Sequence, residues 1–316
     1  MSEINKNPFN PKLDEIDQIE FIEILNSLYQ KKIQIALFII FFLSVSIIYA
    51  IKQVDIYKSE AVLTIADNQL NAPQISGSAG IASMMGLSLS NNSQNKSEVL
   101  MQTIRSREFL KHLIEFEAVL PGLMAATGYD RGTEQIIYDS EIYDSSINTW
   151  LPTKNKPSDP KPSYLEAHTV YLKHVSISHV ESKNLFFMSV EHPSPIFAKN
   201  FLDLIINEAD EMLRAKDLQE SSDAISFLTS EIPKSSLVSM KDAINQLVQS
   251  KLETQMMARI SSEYIVKIIE PPFIPEFKSA PNRMMIVFIG TIFGILISII
   301  FVISNDFLSR VFKKNI

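Results

Sequence analysis

Residues 284–303 read MMIVFIGTIFGILISIIFVI, 20 residues without a charge, of which 14 are Ile, Leu, Val or Phe. A helix over this stretch, at about 1.5 Å rise per residue, is roughly 30 Å long, the thickness of the hydrocarbon core of a bilayer. Each such apolar side chain favours insertion by roughly 0.3–0.6 kcal/mol, so together they outweigh the few Gly, Thr and Ser among them. Working outward, a second stretch has the same character. Ile33–Ile51 (IQIALFIIFFLSVSIIYAI) is 19 uncharged residues, 13 of them of those four types. The sequence therefore predicts two transmembrane helices, 33–51 and 284–303, with the bulk of the chain between them.

The first stretch reads as an anchor and not as a cleaved leader. It follows a 32-residue head rich in Asp and Glu, and it exits through Ile48-Tyr49-Ala50-Ile51-Lys52 with no small-x-small cleavage pattern. Two spans put both termini on one side. Charge does not say which: the terminal flanks carry Lys31, Lys32, Arg310, Lys313 and Lys314, and the inner flanks Lys52, Lys58, Lys278 and Arg283.

Between the spans, the organisation is α+β. Within 1–32, Ile16, Ile19, Ile22, Leu25 and Leu28 form an apolar stripe among acids, which suits a short helix lying at the membrane surface. Tyr57–Ile65 alternates as a strand, and 68–97 is a polar loop around the island Ile81–Leu87. Ser97–Glu117 has helical period, 121–163 is irregular and proline-rich, and Tyr164–Lys173 is a helix. Strands follow at His174–Val180 and Leu185–Glu191, joined by a turn at 181–184. Ser194 then caps a helix whose first position is Pro195, with Ala198, Leu202, Ile205, Ala209 and Met212 on one face. This stripe blurs over 214–223, and Pro233 bends or ends the helix before a second helical pattern gives way to a strand at Tyr264–Ile269. The extended helices of about 195–260 are either one bent helix or a hairpin.

Two short patterns flank the second span. Pro271, Pro272, Pro275 and Pro281 stiffen the approach to the membrane by fixing φ and removing donors. Inside the span, Gly290, Gly294 and Ser298 recur every fourth residue, a smooth helix face on which another helix can pack closely.

Candidate chemistry is sparse. Net charge is −7 and no basic stripe is present, which argues against nucleic acid as a partner; the absence of cysteine excludes disulfides and thiolate metal sites. There are eight glycines and no phosphate-binding loop, no G-x-S-x-G elbow, and no metal-ligand spacing among His112, His168, His174, His179 and His192. Trp150 with Tyr138, Tyr143 and Tyr164 could stack on a sugar, or simply pack together. No catalytic residue, metal or cofactor is expected, and the 13 residues after Ile303 leave no room for a kinase domain.

The order of these segments resembles the Wzz-type chain length determinants, or polysaccharide co-polymerases. The resemblance is carried by DEIDQIEFIEILNSLYQKK at 14–32, GIASMMGLSL at 80–89, SEVLMQTIRSREFLKHLIE at 97–115, EHPSPIFAKNFLDLIINEADEML at 191–213 and, most closely, EYIVKIIEPPFIPEFKSAPNR at 263–283. It implies a bacterial inner-membrane protein with cytoplasmic segments 1–32 and 304–316. It also implies a periplasmic domain over 52–283, with an α/β base and extended helices. The implied role is non-catalytic: a ring-like homo-oligomer that works with a membrane polymerase and the nascent chain to set the length of a surface polysaccharide, such as O antigen of lipopolysaccharide. A component of a capsule or exopolysaccharide export system is the alternative.

Overall fold

The structure is a computed structural model that describes residues 29–66, 92–153, 158–234 and 238–314. The expected surface helix within 1–32 and the loop around residues 81–87 lie, apart from their last residues, outside the described residues. The chain divides into two units, one made of the flanking segments up to Gln53 and from Pro281, the other of Val54–Ala280.

The flanking unit holds helix α1 (Lys32–Lys52) at one end of the chain and, at the other, a 32-residue helix over Arg283–Lys314. Both are long and apolar enough to cross a membrane. In the most apolar windows only 11% and 17% of residues are buried. Ile33, Ile51, Phe288 and Ile300 all turn outward, as side chains bathed in lipid would.

The central unit is built on a four-stranded antiparallel sheet. Strand β1 (Tyr57–Ile65), the first element after α1, sits in the middle. Its alternate residues Tyr57, Ser59, Ala61, Leu63 and Ile65 are buried, the period-2 pattern of a strand with one packed face. Helix α2 (Asn92–Arg105) and helix α3 (Arg107–Leu113) follow where one helix is expected. Ser106 separates them: its backbone is extended, and its hydroxyl accepts the Phe109 N–H at 3.1 Å as an N-cap. The break lets Leu100 and Ile104 on one helix and Phe109, Leu110 and Leu113 on the other enter one core.

The stretch 121–163, expected to be irregular, contains helix α4 (Val119–Ala125) and two small hairpins. These are β2 (Ala126–Asp130) with β3 (Gln135–Tyr138), and β4 (Tyr143–Asp144) with β5 (Thr149–Trp150). Aspartates make their turns. Asp130 accepts the Gly132 N–H and the Thr133 hydroxyl, and Asp144 accepts the Ser146 N–H. Helix α5 (Tyr164–His174) starts in a capping box between Ser163 and Glu166. Strands β6 (Val175–Val180) and β7 (Leu185–His192) form a hairpin whose turn ends at Asn184 with φ 50°.

Helix α6 (Pro195–Glu231) begins as expected, with the Ser194 hydroxyl accepting the Phe197 N–H. Its first half buries Phe197, Ala198, Phe201, Leu202, Ile205, Ile206 and Ala209 in the core that the packed sheet face lines with Phe186, Met188 and Val190. A 3-10 turn over Ile232–Lys234, containing Pro233, ends α6. Helix α7 (Val238–Ile260) then returns to strand β8 (Val266–Glu270), which pairs antiparallel with β1 and gives the sheet order β6-β7-β1-β8. Both outer strands have side chains on their free edges: Arg105 donates to the Ile177 carbonyl, and Glu263 accepts the Ile268 N–H, a common guard against edge pairing. The last helix, Arg283–Lys314, is α8.

Candidate functional site

Three features carry the design: a clamp at the root of the helical pair, the proline-rich exit, and the packed face of α8.

Helices α6 and α7 are a hairpin, which decides between the two forms that the sequence left open. Its root is held by two residues one turn apart on α6. Asp210 is 8% exposed and accepts the backbone N–H groups of Ile265, Val266 and Tyr264 at 2.6, 3.0 and 3.1 Å. It also accepts from the Arg214 guanidinium at 2.9 Å. Arg214 in turn donates to the carbonyls of Ser261 and Ser262 at 2.8 Å, closing the C-terminus of α7. One ion pair thus satisfies donors of the incoming strand and acceptors of the outgoing helix. The Tyr264 hydroxyl donates to Asp217 at 2.7 Å, and burial pushes its pKa up. Beyond Leu213, the last buried residue of the main core on α6, 18 more residues carry the helix about 27 Å further. The blurred stripe at 214–223 marks the point where α6 leaves the sheet for α7.

In the exit, Pro272 and Pro275 are buried, Pro271 is exposed, and Pro281 begins the flanking unit. The backbone is pinned on both sides of Pro275. The hydroxyl of Ser59, itself fully buried, donates to the Phe273 carbonyl at 2.7 Å. Ile56 and Ala280 form a β-bridge, and Lys278 pairs with Asp55 at 3.0 Å. Ile56, the third residue of the domain, and Ala280, its last, are therefore hydrogen-bonded neighbours. Beside them the Arg131 guanidinium donates to the Tyr57 hydroxyl.

In the flanking unit, Gly290 and Gly294 face α1. A Cβ on Gly290 would overlap Ser46, and one on Gly294 would come to 2.8 Å from the Phe42 Cβ. Ser298 is fully buried, Ser46 donates to the Ile286 carbonyl at 3.0 Å, and the Phe38 and Phe301 rings lie 4.9 Å apart. The helices run antiparallel through this contact.

No cluster of three or more His, Cys, Asp or Glu that could hold a metal occurs among the described residues. Four of the histidines have hydrogen-bonded partners, and His179, whose Nε2 has none, stacks on the Phe186 ring at 4.2 Å. His112 pairs with Glu208 at 2.6 Å, His168 with the Arg105 carbonyl, and His174 with the Glu191 carbonyl. His192 is 1% exposed; its Nε2–H donates to the Gly122 carbonyl and its Nδ1 accepts the Ser194 N–H, which makes it neutral. Burial pulls its pKa down to about 4. Trp150 packs on Tyr143 at 5.0 Å, and Tyr143 on Tyr138 at 5.2 Å. Trp150 also packs partly buried against the core, while Tyr164 stands 40% exposed at the start of α5.

Residues 17–116 match the model of the family described as chain length determinant protein, Wzz. The match takes in α1, β1, α2 and α3, so the likeness to Wzz-type proteins is carried by a defined part of the chain. Among solved structures the chain is similar to one described as a full-length bacterial polysaccharide co-polymerase, at 10% identity and a TM-score of 0.43, over 92% of this chain and 98% of that one. No curated protein matches.

Proposed function

We propose, from the premise that residues 17–116 form a chain length determinant (Wzz) segment, that this protein is a non-catalytic polysaccharide co-polymerase of the bacterial inner membrane. In this reading 33–51 and 284–303 span the bilayer, segments 1–32 and 304–316 are cytoplasmic, and 52–283 is periplasmic. A ring-like homo-oligomer works with the membrane polymerase on the nascent chain and sets the length of a surface polysaccharide, O antigen or a similar polymer.

The family match is the observation that carries this reading. The two outward-facing apolar helices support the membrane placement. The hairpin supports lateral assembly, because Met256 and Ile260, neighbours one turn apart on α7, are 56% and 74% exposed. Gly290, Gly294 and Ser298 serve as the face that braces α8 against α1. Pro271, Pro272, Pro275 and Pro281 serve as the stiff junction between domain and membrane.

The test is the size distribution of the host's surface polysaccharide on a gel, with the protein deleted and then restored. Loss of the preferred length, with polymer still reaching the surface, is the expected result. Polymer held inside the cell would replace this reading with a role in export, and an unchanged profile would refute it.

A further inference from the structure

Three apolar side chains in the exit segment point the wrong way for a soluble domain. Phe273, Ile274 and Phe277 are 52%, 53% and 83% exposed, while Pro272 and Pro275 between and beside them are buried. In an ordinary linker the prolines would lie outside and the aromatics would turn in. This inversion is held in place. Ser59 fixes the Phe273 carbonyl, Lys278 is tied to Asp55, and Ser279 N–H and Ala280 C=O both bond to Ile56. Fixed φ angles at the two buried prolines remove most of the remaining freedom. The ordering entropy of this display is therefore met by the domain itself, and the three side chains are offered to something outside it.

From this geometry we infer that Phe273, Ile274 and Phe277 seat the domain in the headgroup region of the bilayer that α8 enters. Chain continuity selects this occupant. Five residues separate Phe277 from Arg283, where α8 begins, and the six extended steps between them reach at most about 20 Å. Whatever covers Phe277 must lie within that reach of the start of a membrane-spanning helix, and the polar layer of the bilayer, several ångströms deep, is the surface always present there. Aromatic and aliphatic side chains on a rigid polar segment suit that layer, because the rings enter the acyl boundary while Glu276 and Lys278 stay hydrated. The inference goes beyond the co-polymerase reading and depends only on α8 spanning a membrane.

The chain contains no cysteine, so single nitroxide labels can be placed without a background. In the full-length protein in phospholipid vesicles, labels at Phe277→Cys and Ile274→Cys are compared with one at Phe227→Cys, which is 64% exposed on the hairpin. Collision rates with oxygen and with a neutral nickel chelate are measured at each. Oxygen access several-fold above nickel access at 277 and 274, with the reverse at 227, is expected. Equal ratios at 277 and 227 would overturn the inference. So would protection from both reagents at 277, which would mean that a protein surface, such as a second copy of this chain, covers the segment instead. All three labelled positions are exposed, so folding is not at stake.

Discussion

Replacing Asp210 should detach the helical hairpin from the sheet. The carboxylate accepts three backbone N–H groups, from Tyr264, Ile265 and Val266, each of which is 3% exposed or less. Truncation to Ala leaves those three donors buried without acceptors, at about 1–3 kcal/mol each, and leaves Arg214 with only the longer 3.6 Å pair to the exposed Glu211. Removing one partner of a buried pair costs about 3–5 kcal/mol in comparable cases. These terms overlap because the same oxygens make both sets of bonds, so about 4–6 kcal/mol is the expected loss. Against a domain stability of about 5–15 kcal/mol, this is enough to open the root of the hairpin. Asp210→Asn should recover little, because one of its two oxygens becomes a donor that faces either a backbone N–H or the guanidinium. Hydrogen exchange on the full-length protein in detergent, read by mass spectrometry, separates local from global effects. Protection should fall sharply across α7 and β8 and persist in β6 and β7. If Asp210→Asn leaves protection at residues 264–266 unchanged and stability within 1 kcal/mol of the parent, the clamp is not what holds the hairpin.

Three further outcomes follow from named contacts. His192 is neutral in the fold, with its pKa lowered from 6.5 to about 4, so the unfolded chain binds more protons between those values. Stability is then full above pH 6.5 and falls as pH drops towards 4, by about 3 kcal/mol in all. Melts followed by Trp150 fluorescence should show this slope, and His192→Gln should flatten it; an equal slope in the variant would exclude His192 as the source. Gly122→Ala places a Cβ inside the Phe197 ring and should lower stability by about 1–3 kcal/mol through overpacking, visible as a shifted melting temperature, whereas an unshifted melt would show that Phe197 moves aside freely. Lastly, a short bifunctional crosslinker should join cysteines at Phe38→Cys and Phe301→Cys within one chain in vesicles. The added pair Gly290→Leu and Gly294→Leu should abolish that product, and its persistence would show that the close face of α8 is not required for the contact.

Some of this protein is written locally. The alternation in Tyr57–Ile65, the Ser194-Pro195 start of α6 and the turn before Leu185 each depend on residues within a few positions of one another, and the structure has these elements within a residue of their expected bounds. The two hairpins of 126–150 also carried a local signal in Asp130-Arg131-Gly132-Thr133 and Asp144-Ser145-Ser146. Prolines elsewhere in 121–163 masked it, since proline density speaks against regular structure without saying where it stops. Ser106 was harder to read. Its surroundings, Ile104-Arg105-Ser106-Arg107-Glu108, suit a continuous helix, and only the demand that both halves bury their apolar faces in one core favours the break.

Two apolar spans, an α+β domain between them, and the absence of recognisable catalytic motifs were determined by the sequence alone, because hydropathy and periodicity are sums over neighbouring residues. Tertiary structure alone decided that α6 and α7 fold back as a hairpin, that Gly290 and Gly294 meet Ser46 and Phe42, and that Phe273 and Phe277 face outward. Each of these joins residues far apart in the chain: Asp210 to Ile265, Ser46 to Ile286, Ser59 to Phe273. A single side chain that accepts three backbone N–H groups leaves no periodic trace in its own segment. What selects its partners is the cost of burying those donors unpaired, and that cost exists only once the chain has closed around them.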